Sequence, residues 1–92
     1  MYELISTKQF KKDLKKIIKN GDKKINLLEQ IVGMLLNNEK LPKKYRDHSL
    51  SGNWIGYREC HITSDWLLIY FINDDNLTLT LTRTGTHSNL FS

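Results

Sequence analysis

A chain of 92 residues has room for one domain, residues 1–92, whose single core buries roughly 60–65% of the surface exposed by the unfolded chain, and none for a separate regulatory domain. The first thirteen residues hold no apolar signal core, the longest apolar run (66–72) is too short for a bilayer, and the lone Cys60 has no internal disulfide partner, so no membrane is expected and a reducing cytoplasm is. The net charge of +4 is unevenly spread: residues 1–46 carry eleven Lys and one Arg against five acids, a net of +7, and residues 47–92 two Arg against five acids, a net of −3, so the first half attracts phosphates or an acidic partner.

Residues 2–6 read as a short strand, with Thr7 placed to cap a helix. Phe10, Leu14, Ile17 and Ile18 then follow the spacing of one buried helical stripe, and lysines fill the remaining surface. Asn20-Gly21 closes that helix, and Asp22 is placed to cap the next, over about 23–37, with Ile25, Leu28, Ile31, Val32, Leu35 and Leu36 as its apolar face. Leu41-Pro42 breaks the pattern, and 43–52 reads as a loop of the length that tends to be functional. Strands follow at 54–61, 66–72 and 77–83, the last two joined by a polar turn at 73–76. Leu77, Leu79 and Leu81 alternate with threonines, whereas 66–72 is apolar throughout, as suits a central strand. The expected fold is α+β, two helices packed on one face of a small, mostly antiparallel sheet with the opposite face open.

The three histidines, His48, His61 and His87, fall in the loop, at the end of a strand and just after the last strand. A hairpin over 59–66 brings His61 and Asp65 to one rim of the sheet, where side chains can converge on a substrate. Cleaving RNA without a metal requires taking a proton from a ribose 2′-hydroxyl, stabilising the charge of the phosphorane and returning a proton to the departing 5′-oxygen. Two imidazoles and a guanidinium meet that list, with Arg83 as the cation. Arg83 is in phase with Leu77, Leu79 and Leu81, however, so it serves only if the strand ends or twists before it, a departure that Gly85 favours. Tyr45 and Arg46 are candidates to stack on a base and pair with phosphate. His48, His61, His87 and Asp65 are also zinc-type donors, but no two of the histidines have short chelating spacing, so neither metal nor other cofactor is expected. Trp54 and Trp66 read as packing residues.

Four ordered segments carry a resemblance: Asp47-His48-Ser49-Leu50-Ser51-Gly52-Asn53-Trp54, Tyr57-Arg58-Glu59-Cys60-His61-Ile62, Asp65-Trp66-Leu67-Leu68-Ile69-Tyr70, and Arg83-Thr84-Gly85-Thr86-His87-Ser88-Asn89-Leu90-Phe91. Together they resemble the YafQ branch of the RelE/ParE toxin superfamily. The resemblance implies a β-α-α-β-β-β order and the toxin of a type II toxin-antitoxin system: an endoribonuclease that cleaves mRNA, typically in the ribosomal A site, and is neutralised by a co-expressed antitoxin. Its catalytic residues would fall on His48, His61, Asp65, His87 and Phe91, with Arg83 in support. His48 and His87 would share the base and acid work, and His61 and Asp65 would position the scissile phosphate or each other. The antitoxin would be acidic, partly disordered and wrapped around the lysine-rich half. The alternative on the same fold is a non-catalytic binder that inhibits DNA gyrase, as the ParE branch does; the histidine set has no purpose there.

Overall fold

The computed structural model describes residues 1–21 and 24–91. Strand β1 (Glu3–Ser6) enters helix α1 (Lys8–Asn20) through Thr7, whose hydroxyl accepts the Phe10 amide at 2.9 Å and satisfies one orphan donor of the first turn. The same hydroxyl donates to the Thr82 carbonyl at 2.8 Å, fastening the helix start to the sheet. Gly21 closes α1 in the left-handed conformation, φ 71°, with its amide on the Ile17 and Ile18 carbonyls. Helix α2 (Ile25–Leu36) is shorter than the 23–37 expected, and Lys24 at its N-cap makes no side-chain cap bond. The expected Asp22 cap and Lys23 lie outside the described residues.

Strands β2 (His48–Ser49), β3 (Arg58–Thr63), β4 (Trp66–Asn73) and β5 (Thr78–Gly85), then the short helix α3 (His87–Phe91), complete the order. The sheet runs β1-β5-β4-β3-β2; β1 lies parallel to β5, and the other neighbouring pairs are antiparallel. The expected α+β architecture is present, with β2 and α3 added to it. Strand β4 is central, as its unbroken apolar run demands: Trp66 to Tyr70 are all buried, alternating between two apolar layers. On one face Phe10, Leu28, Ile31, Val32 and Leu35 of the helices pack on Cys60, Ile62, Trp66, Leu68, Tyr70, Leu79 and Leu81. Burial pushes the Cys60 thiol well above its ordinary range, which makes it a small apolar side chain rather than a nucleophile.

Two expectations need correction. The opposite face is not open: Leu67 and Ile69 are covered there by Leu90, with Leu50, Trp54, Tyr57 and Phe91 packed around them. The strand expected over 54–61 begins only at Arg58. Gly52–Trp54 form a 3-10 turn instead, with Gly52 at φ 62° and Gly56 at φ 95°, and this loop folds Trp54 and Tyr57 back over the sheet. None of the helices among the described residues is long and apolar enough to cross a membrane.

Candidate active site

The loop over 43–52 is shaped by local rules. Lys43–Tyr45 form a 3-10 turn, Arg46 follows at φ 49°, and the chain then pairs with β3 in the register His48↔Glu59 and Ser49↔Arg58. Asp47 anchors this entry: it accepts two hydrogen bonds from the Arg58 guanidinium, at 3.3 and 3.2 Å, and one from the Tyr70 hydroxyl. Burial and the bond to Asp47 hold the Tyr70 phenol well above its ordinary range, so it stays a donor. The Asp47, Arg58 and Tyr70 positions of the motifs are therefore the clamp that sets His48 in place.

Paired positions share a sheet face, so His48 and Glu59 point the same way, and His61, two residues along β3, joins them. The two imidazole rings lie 6.4 Å apart, centroid to centroid. Both present Nε2 to one oxygen of Glu59, His48 at 3.4 Å and His61 at 3.7 Å. The His48 Nδ1 lies 2.7 Å from the Arg46 carbonyl, which fixes its N–H on that side. Glu59 itself is 4% exposed, and its second oxygen, Oε2, is buried with no hydrogen-bond partner among the described residues. Strand alternation placed Glu59 in phase with His61, but nothing local announced that it would be buried between two histidines.

Strand β2 covers only Arg58 and Glu59, so the edge of β3 from His61 onward opens onto a cleft of about 380 Å³, flanked by the cationic Lys44 and Arg46. Arg46 is exposed there, as a phosphate-pairing role asks. Tyr45 is not the exposed stacking platform expected of it: the turn after Pro42 tucks its ring into the main core, 8% exposed, with Lys44 Nζ 5.1 Å from the ring centre.

Helix α3 crosses the covered face on Leu90, and Thr86 caps it by accepting the Asn89 amide at 3.2 Å. The rings of the exposed His87 and the half-buried Phe91, one turn apart, lie 5.0 Å from each other, tilted by 40°, and Phe91 meets Trp54 edge-on at 6.2 Å. Leu90 takes the core-plugging place that a terminal aromatic would otherwise fill, and Phe91 is left half-buried beside it. Asp65 lies in the β3–β4 turn and accepts from the Thr63 hydroxyl at 3.1 Å. It lines a 260 Å³ cleft with Lys16, Thr86 and Asn89 rather than the cleft of His61, so the turn brings the two near one rim but onto different openings.

The phase problem of Arg83 is resolved by a bulge. Tyr70 faces Leu81 but Ile69 faces Arg83, so Thr82 is the extra residue and the alternation breaks. Arg83 then grips Asp13 of α1 through Nε and Nη2, at 2.8 and 3.1 Å, and the Thr84 amide adds a third bond to the same carboxylate. Burial alone would raise the Asp13 carboxyl, but the bonds from Arg83, Gln9 and Thr84 outweigh it and hold the group below its ordinary range. A depressed carboxylate stabilises the fold above its unfolded pKa, about 3.9, and loses that contribution as pH falls through the folded value. Asp13→Asn is therefore expected to cost about 1–3 kcal/mol at pH 7, with the deficit shrinking below about pH 4. Urea unfolding of both proteins at pH 7 and pH 3 checks it; an equal deficit at the two values would contradict the pairing.

An α+β domain with two N-terminal helices on one sheet face, and three histidines with an aromatic-flanked helix on the other, is a RelE-like toxin fold. Residues 2–92 match the family described as the bacterial toxin of type II toxin-antitoxin system, YafQ, and the chain belongs to that family. It is 43% identical over 84 residues to the mRNA interferase toxin YafQ of Escherichia coli K12, covering 90% of this chain and 88% of that one. Among solved structures, the metal-bound toxin from Helicobacter pylori is similar with a TM-score of 0.92 at 43% identity, over 99% of this chain and 100% of that one. The toxin in the E. coli DinJ-YafQ complex is similar with a TM-score of 0.87 at 39% identity, over 100% of each chain.

Proposed function

We propose that this type II toxin is an endoribonuclease that cleaves mRNA on the ribosome by histidine acid–base chemistry, without a metal. The observation that carries the reading is the pair of imidazoles on one buried carboxylate, beside a cationic cleft, with a third imidazole on the helix that packs across the same sheet face. The proton of a ribose 2′-hydroxyl passes to Nε2 of His48 or His61 as O2′ attacks phosphorus. The P–O5′ bond breaks, His87 gives its proton to O5′, and the products are a 2′,3′-cyclic phosphate and a 5′-hydroxyl end. Lys44 and Arg46 meet the charge of the phosphorane, and Phe91 offers a ring on which a base stacks, worth ~1–3 kcal/mol. Arg83, engaged with Asp13, supports the site by fixing the end of β5 from which α3 departs, and Asp65 borders the strand that carries His61.

The mRNA substrate accords with the mRNA interferase name of the E. coli relative, and an acidic antitoxin with the DinJ-YafQ complex and with the net +7 of residues 1–46. The test is 5′-end mapping of cellular transcripts after brief induction, paired with cleavage by purified protein in EDTA. Cuts in phase with the reading frame and activity that survives chelation are expected. Cuts indifferent to frame would remove the ribosome from the reading, and cleavage by the free protein that is present with Mg²⁺ and lost in EDTA would remove the metal-free mechanism.

A further inference from the structure

Helix α1 carries Lys8, Lys11, Lys12, Lys15, Lys16 and Lys19, and every one of them is exposed. At 3.6 residues per turn these lysines fall within an arc of about 140° and a length of about 16 Å. The arc points away from the sheet, because Phe10, Leu14 and Ile17 on the other side of the helix pack into the main core. Asp13, the one acid of the helix, stands on its flank and is held by Arg83. None of these lysines forms an ion pair among the described residues. The face works against its own helix: Lys8 and Lys12, Lys11 and Lys15, Lys12 and Lys16, and Lys15 and Lys19 are like charges one turn apart, and Lys8 opens a first turn where the helix dipole favours acids and no acid is present. Solvated helix faces ordinarily interleave the two signs. A dense polyanion turns each of these repulsions into a gain.

Nucleic acid and acidic protein both supply such charge. The lysine arc holds no apolar or aromatic side chain, so an acidic segment finds only exposed ion pairs there, each worth little. Unpaired bases find no ring to stack on. A duplex hides its bases and offers its phosphates, and each phosphate that is neutralised releases counterions. The strand being cut is not the occupant, because His61 alternates with the core-facing Cys60 and Ile62 and so lies on the other side of the sheet. We propose that the lysine face of α1 is a second RNA-binding site, one that grips the phosphate backbone of a folded RNA duplex. The inference rests on the ribosome reading for the source of that duplex: a domain 36 Å along its longest axis, with message on one face and duplex on the other, fits a partner that presents folded RNA on both sides.

The test uses a blunt RNA duplex of about 16 base pairs, which presents two successive minor grooves, with neither ribosome nor cleavage involved. Fluorescence anisotropy over a salt series reads the affinity. The Lys12→Gln/Lys15→Gln variant is expected to bind about tenfold more weakly near 0.1 M salt, and to flatten the slope of log affinity against log salt by about 2. Its urea midpoint should be equal or higher, since like-charge pairs are relieved. Lys40→Gln/Lys43→Gln removes the same charge from exposed lysines outside α1 and should stay within about twofold of the wild type. Equal losses in the two variants would reduce the binding to net charge and overturn the site. Poly-glutamate binding that falls in the Lys12→Gln/Lys15→Gln variant while duplex binding holds would give the face to an acidic protein, and overturns the proposal as well. Cleavage of a short single-stranded oligonucleotide should be unchanged in that variant; a matching loss there would mean that the face serves the cut strand. If the wild-type protein cuts no RNA, the ribonuclease reading falls while the duplex measurement still decides the face.

Discussion

Replacing His87 by alanine is expected to slow RNA cleavage by about 10²–10⁴-fold, the usual contribution of a positioned general acid. The change should spare the fold, because α3 is held by the buried Leu90 and the Thr86 cap, and the imidazole itself is exposed and meets only Phe91 among the described rings. A surface substitution of this kind shifts stability by roughly 0.5 kcal/mol or less, so matching urea midpoints separate chemistry from folding. The role of the residue can be isolated by changing the leaving group. An oligonucleotide whose scissile 5′-oxygen is replaced by sulfur departs as a thiolate and needs no proton, so the variant should cleave it nearly as fast as the wild type does. Equal defects on the oxygen and sulfur substrates would assign His87 to binding instead.

Trp66→Ala is expected to be the most damaging single change to the fold. The ring is 0% exposed at the start of the central strand, and its indole N–H donates to the Thr84 hydroxyl at 2.8 Å, which in turn donates to the Leu67 carbonyl at 2.7 Å. Truncation removes the largest fully buried side chain and breaks a chain of bonds that ties β4 to the end of β5. Substitutions of this class cost about 3–5 kcal/mol, against a total of roughly 5–15 kcal/mol for a domain. Trp66→Phe keeps most of the volume but loses the N–H donor, at about 1–3 kcal/mol. Urea unfolding followed by circular dichroism gives both numbers; a Trp66→Ala cost below that of Trp66→Phe would mean that the core closes over the gap.

Most of the architecture was legible because its signals are periodic. The stripe at Phe10, Leu14 and Ile17, the Thr7 cap and Gly21 placed α1 within a residue, and the apolar run from Trp66 marked the central strand. The errors arose where tertiary packing overrode local preference. Trp54 and Tyr57 are strand-type residues used as a lid, and two glycines at positive φ make that turn. Tyr45 looked like a platform because the loop around it is polar, yet its ring completes the core. Arg83 depended on a one-residue bulge at Thr82, a feature of register that no local composition encodes. The histidines were visible from the motifs, whereas Glu59 gained its meaning only through the pairing of β2 with β3, which brings residues from two separate motifs face to face.

The parallel pairing of β1 with β5 joins Glu3 to Thr78 and Ser6 to Leu81, nearly the full span of the described chain. Long-range closure of this kind is slow and comes late. During synthesis the first strand must wait at the sheet edge until β5 has emerged, and His87 and Phe91 follow β5 in the chain. A half-made chain therefore presents its lysine-rich helices, but neither a closed sheet nor its third histidine. The order of residues therefore makes assembly of the site the last step of folding, after β5 has joined the sheet and carried α3 into place.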